Sequence, residues 1–199
     1  MPALAAGYAV VLLGTNAWLE LSPRRTESRV LHATSTDIAH LVRDAWVVLP
    51  ASALFTRGSL GFAIVGCVLF VGLLEMSTSW RTALAVAVTG HVIGTLVSGG
   101  VVALRIATGD LPNSARNILD VGPSYALVAC AAAVIASPGI DGRLRFACAI
   151  ACAPVFAFTA VRLPSGRVDA IGHLTSAVSG LVWAWWLHRR GHPAELVAP

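Results

Sequence analysis

The chain has 199 residues, of which 56% are hydrophobic and only 12% charged, and its mean hydropathy is +0.75. Soluble domains carry about a quarter charged residues, so these values exclude an ordinary water-soluble globule and point to a single membrane domain spanning residues 1–199. The net charge of +4 comes from 14 Arg and no Lys; without an aromatic-interleaved basic patch it suits headgroup contact at helix ends and argues against a nucleic-acid partner.

Charged residues and Pro/Gly clusters divide the sequence into six apolar stretches, at about 3–19, 59–79, 82–104, 121–137, 144–161 and 168–187. Each is long enough, or nearly so, to cross a bilayer. The first lacks a basic leader and a small-residue cleavage site and reads as a retained span. The long connection 20–58 holds Arg24, Arg25, Arg29 and Arg43 with Glu27, Asp37 and Asp44, too polar to span. Its latter part, 45–55, is apolar but short and contains Pro50, which suggests an interfacial or re-entrant element. A second polar connection runs from Arg105 to Asp120. Cys67, Cys130, Cys148 and Cys152 all lie in apolar runs; Cys148 and Cys152 share a helix face but have no acidic or His company, so they read as packing residues, with no metal or cofactor implied.

Ionisable groups inside apolar spans are expensive and mark function by default. Glu75, His91, Asp169 and His173 are such groups. Glu75, beside Trp80 and Arg81, reads as a boundary anchor or a partner for Arg81. His91, mid-span, reads as packing glue or as a deep catalytic or ligand group. Ser124, in the stretch Asp120-Val121-Gly122-Pro123-Ser124-Tyr125, starts the fourth span. The fourth and sixth spans are two crossings apart and enter from the same membrane face. Ser124 lies four residues past Asp120 and His173 four past Asp169, so each is about 6 Å below its acidic marker. Gly172, Ser176 and Gly180 on the sixth span, with the alanines of the fourth, allow close approach. A Ser–His hydrogen bond there activates a hydroxyl nucleophile, with Asp169 either capping its helix or orienting the imidazole; an inert interhelical hydrogen bond is the alternative.

Three stretches together resemble the rhomboid family of intramembrane serine proteases. "DVGPSYALVACAAAV" resembles the fourth-helix GxSG motif, with Gly122 and Ser124 in place and Tyr125 where a small residue is usual. "AIGHLTSAVSGLVWAW" resembles the sixth helix, with His173 as the base, and 59–100 resembles the second and third helices, including the turn from Glu75 to Arg81. The chain is also similar to divergent rhomboid-like membrane proteins of actinobacteria. The resemblance implies an all-α, six-transmembrane-helix bundle with a long first loop, placed as a multi-pass protein in the cell membrane. It implies cleavage of transmembrane protein substrates by a Ser124–His173 dyad without a cofactor. The family's HxxxN in the second helix is missing, and Ser59-Leu60-Gly61-Phe62-Ala63 stands at that register. Ser59, the fourth-helix N–H groups near Gly122 and a donor such as His91 are then the oxyanion candidates, while Tyr125 either narrows access or offers a phenol. The resemblance puts both termini in the cytoplasm, whereas the arginine distribution favours the opposite orientation. A relative that binds or escorts membrane helices without cutting them is the second expectation. A small transporter is a third, disfavoured because only His91 lies deep.

Overall fold

The computed structural model describes residues 2–190; residues 191–199, the end of the C-terminal tail, lie outside the described residues. Within them the chain forms eight helices: α1 (Ala3–Glu20), α2 (Arg24–Ala33), α3 (Ile38–Ser52), α4 (Leu60–Ser77), α5 (Trp80–Ala107), α6 (Ser124–Ala136), α7 (Gly142–Arg162) and α8 (Val168–Arg189). The starts of α3, α4, α5 and α7 are set by short polar residues that accept from free first-turn N–H groups. Asp37 accepts from His40 N at 3.1 Å, Ser59 from Phe62 N at 3.2 Å, Ser79 from Thr82 N at 3.1 Å and Asp141 from Arg143 N at 2.9 Å. One π turn, Cys67–Val71, interrupts α4 where Phe70 is driven fully into the core.

The helices run up and down. The end of α4 meets the start of α1, where the Glu75 carboxylate accepts from Leu4 N and Ala5 N, each at 3.0 Å. Glu75 thus caps α1, which has no cap of its own; its place is explained by the helix dipole and not by Arg81. The end of α5 meets the start of α8 through Arg105 Nη1, which donates to the Gly166 carbonyl at 2.9 Å. The end of α6 meets α7 through Arg145 Nε, which donates to the Ile135 carbonyl at 2.8 Å.

At the centre α5, α6 and α8 pack almost backbone to backbone. A Cβ on Gly90 would strike Ala129, one on Gly94 would strike Ser176, and one on Gly180 would strike the Ala129 carbonyl. Ser176 Oγ donates to the Gly90 carbonyl at 2.9 Å and Trp183 Nε1 to Thr89 Oγ1 at 2.8 Å. Four helices, α1, α4, α5 and α7, are long and apolar enough to cross a membrane. The fourth stretch, expected at 121–137, is helical over 13 residues only, about 20 Å. Pro123 and Pro138 stand on either side of it, and the helix is buried from Tyr125 through Val134. Protein surrounds it, so it need not match the hydrocarbon thickness.

The connection 20–58 holds two helices where one short element at 45–55 was expected. Asp37 starts α3 well upstream, the helix bends at Asp44 (φ −136°, ψ 34°), and Pro50 is accommodated inside it. α3 runs against α5, from Leu41 beside Gly99 to Ser52 beside His91 near the α5 midpoint. A helix that stops inside a bundle leaves carbonyls that need donors. They are supplied one by one: Leu49 O receives His91 Nε2 at 2.9 Å, Ser52 O receives Gly122 N at 3.0 Å and Ala53 O receives the Tyr8 hydroxyl at 2.7 Å. Leu54 O takes the Thr15 hydroxyl and, at 3.4 Å, Asn16 Nδ2. The buried Asn16 of α1 and His91 of α5 are therefore explained by the end of α3. On the outside, Trp46 is 93% exposed, Val42 84% and Val161 80%, an apolar surface suited to lipid and not to water.

Candidate functional site

The stretch leading into α6 is anchored to the first loop. Thr36 N and Thr36 Oγ1 donate to the Asp120 carbonyl at 2.9 and 3.0 Å, and Asp120 N donates to Ser35 Oγ at 3.1 Å. Gly122 adopts φ +145°, a left-handed conformation suited to glycine, as it turns its N–H to the end of α3. Pro123 then sets the first turn. The Leu127 N–H is the first of α6 to find a helical acceptor, the Pro123 carbonyl at 3.0 Å, so the N–H groups of Ser124, Tyr125 and Ala126 have none within the helix. They point toward the loop end with the positive pole of the helix dipole behind them.

Ser124 is the first helical residue and is half-buried. The next residue, Tyr125, is fully buried and reaches α8: its ring covers Gly172 and stands edge-on to the His173 imidazole, with ring centres 5.3 Å apart and planes at 78°. His173 has Nδ1 3.5 Å from Thr159 Oγ1 of α7 and Nε2 buried without a partner. Among the described residues no hydrogen bond joins Ser124 to His173. Asp169, one turn earlier, is engaged by Arg162 at 3.4 Å and Arg167 at 3.3 Å and not by the imidazole.

His91 is buried 6.3 Å from the Tyr125 ring centre to centre, and its Nε2 is spent on Leu49 O and on Ser52 Oγ at 3.0 Å. Ser59 is exposed, and its hydroxyl is occupied in capping α4. The structure therefore groups Gly122, Ser124, Tyr125 and His173 at one end of the bundle, leaves His91 deeper against α3 and leaves Ser59 apart. Thr36, Ser52, Thr95 and Thr159 join the neighbourhood without having been singled out. Thr36 lies in the loop before α3, and only the places of Ser52, Thr95 and Thr159 on helices that also carry small residues hinted at them.

Four buried polar atoms on α5, α6 and α8 lack partners: the Tyr125 hydroxyl, His91 Nδ1, Thr95 Oγ1 and His173 Nε2, with both imidazole rings within 6.3 Å of the Tyr125 ring centre to centre. Each orphaned group costs about 1–3 kcal/mol, and such a concentration marks a place kept polar against packing. At the end of the bundle where α6 and α8 begin lies a cavity of about 400 Å³ lined by Arg105, Leu119, Asp120, Arg167 and Asp169. Burial pushes the Asp120 carboxyl up to about 6 against the opposing effect of the Thr36 hydroxyl, 3.3 Å from its Oδ2.

A family model described as rhomboid-like protein matches residues 2–192. No curated protein matches the chain, and no solved structure does. With a match over nearly its whole length and a bundle of apolar helices, the chain is an integral membrane protein and belongs to the rhomboid-like family.

Proposed function

We propose that the protein is a multi-pass intramembrane serine endopeptidase of the cell membrane, folded as one domain, that cleaves transmembrane segments with Ser124 as nucleophile and His173 as base. The observation that carries this reading is the buried, unpartnered Nε2 of His173, held against the first turn of the helix that Ser124 begins. With Nδ1–H turned to Thr159, Nε2 is the proton acceptor. It takes the Ser124 proton as Oγ attacks a peptide carbonyl. The resulting oxyanion lies by the free N–H groups of Ser124 and Tyr125, which substitute for the missing HxxxN. Collapse returns the proton to the leaving amine, and water from the polar cavity then hydrolyses the acyl-enzyme, restoring Ser124. Thr159, and not Asp169, is the positioning residue for the imidazole.

A second reading, a rhomboid-like protein that binds membrane helices without cutting them, is favoured by one observation. The Tyr125 ring lies against His173, and Ser124 makes no hydrogen bond to it. Reconstitution with a panel of single-span reporter proteins separates the two. Cleavage that disappears in both Ser124→Ala and His173→Ala supports the protease; stable association with uncut reporters supports the binder.

A further inference from the structure

α3 reaches only to the level of His91, so between α1 and α5 it fills half the depth of the bundle. The other half is a groove of about 690 Å³, walled by Gly7 and Val11 of α1 and by Leu84 and Val88 of α5, and roofed by Leu49 and Pro50 of α3. Its lining is otherwise apolar: the Tyr8 hydroxyl is engaged by Ala53 O and His91 Nε2 by Leu49 O, while the unpartnered His91 Nδ1 is itself buried. Water would find no partners there, so the occupant is apolar. A crossing helix does not fit. From Leu84 to Val92 the groove extends about 12 Å, whereas a spanning helix needs about 30 Å and would run into α3. A chain that rises from one leaflet and stops at mid-depth does fit.

A charge lies one helical turn beyond the groove lining. Arg81 lies on the same strip of α5 as Leu84 and Val88, one turn nearer the end where α1 begins. It is exposed, has no carboxylate partner among the described residues, and its guanidinium stands 5.3 Å from the ring centre of Trp80. A cation beside an exposed tryptophan at the foot of an apolar groove is complementary to a phosphate attached to a long hydrocarbon tail.

We propose that this groove binds a phospholipid of the leaflet in which α1 begins, one acyl chain packed under α3 and the phosphate on Arg81. Gly7 faces open space, with no atom within 4 Å of a Cβ built on it, so Gly7→Phe fills the groove without disturbing the fold. Arg81→Gln removes the charge alone. The groove lies on a different face of α5 from Gly90 and Gly94, and neither substitution touches Ser124 or His173, so the site stands or falls independently of proteolysis.

The test is lipid mass spectrometry of the purified full chain, together with thermal unfolding in nanodiscs of phosphatidylglycerol or phosphatidylcholine. We expect the parent to retain phospholipid through detergent purification and Gly7→Phe to lose it. Arg81→Gln should lose an anionic-lipid preference of about fivefold, the effect of one basic residue at a membrane surface. Equal retention in all three proteins overturns the proposal. So does a photocrosslinker at Val88 that captures a polypeptide, a second copy or another membrane protein, in place of lipid.

Discussion

Tyr125 stands edge-on to His173 with Gly172 beneath its ring, so the side chain that follows the candidate nucleophile is the one that touches the candidate base. Tyrosine is tolerated where small residues are usual because Gly172 and Gly94 leave it room on α8 and α5. Its hydroxyl pays for nothing, having no partner. Tyr125→Phe should therefore retain the fold and raise stability by about 1 kcal/mol or more, measured by thermal unfolding in detergent. Gly172→Ala should do the reverse, because the new Cβ meets the Tyr125 ring and both backbones are fixed.

His91 is buried near the midpoint of α5, and its geometry makes it one of the donors that close the end of α3. His91→Ala leaves the Leu49 carbonyl with the Ser52 hydroxyl, at 3.1 Å, as its remaining side-chain donor and should cost about 1 kcal/mol, the net worth of one hydrogen bond. The local signature is faster hydrogen exchange over 45–56. If the substitution abolishes proteolysis while leaving exchange and unfolding unchanged, His91 acts on the oxyanion instead.

Asp120 makes stability depend on pH. Its carboxyl is raised by burial from 3.8 to about 6, so across that interval the folded state keeps a proton that the unfolded state has released. Stability is greatest below about 4 and declines as pH rises through about 6. Asp120→Asn should flatten this slope, read as the unfolding midpoint between pH 4 and 7. An unchanged slope would place the responsible group elsewhere.

Thr159 is expected to affect the chemistry and not the fold. Thr159→Val removes the acceptor for His173 Nδ1–H and should lower kcat with little change in KM, while Thr159→Ser restores it. Asp169→Asn, whose carboxylate faces two arginines, should leave kcat nearly unchanged.

Much of the architecture is legible in the sequence because lipid-facing helices need long apolar runs, and the six stretches coincide with α1 and α4–α8. The exceptions have physical causes. α6 is shorter than its stretch because Gly122 and Pro123 turn the chain just before it. α3 was foreshadowed by Pro50 and an apolar run too short to span, but its start depended on the single cap Asp37. Glu75 and His91 are conspicuous in sequence, yet the groups they serve, the N–H groups of α1 and the Leu49 carbonyl, are backbone atoms that leave no mark on the amino-acid order. The closeness of α6 and α8 was readable from Gly172, Ser176 and Gly180. The side chain that fills the junction was not, because choosing Tyr125 over Ser124 depends on the rotation of α6 about its own axis.

The most direct measurement is covalent labelling by a fluorophosphonate in lipid, with the adduct mapped by mass spectrometry. A Ser124–His173 dyad predicts an adduct on Ser124 in the parent and none in Ser124→Ala or His173→Ala. A folded parent that takes no label, or that labels equally without His173, would contradict it.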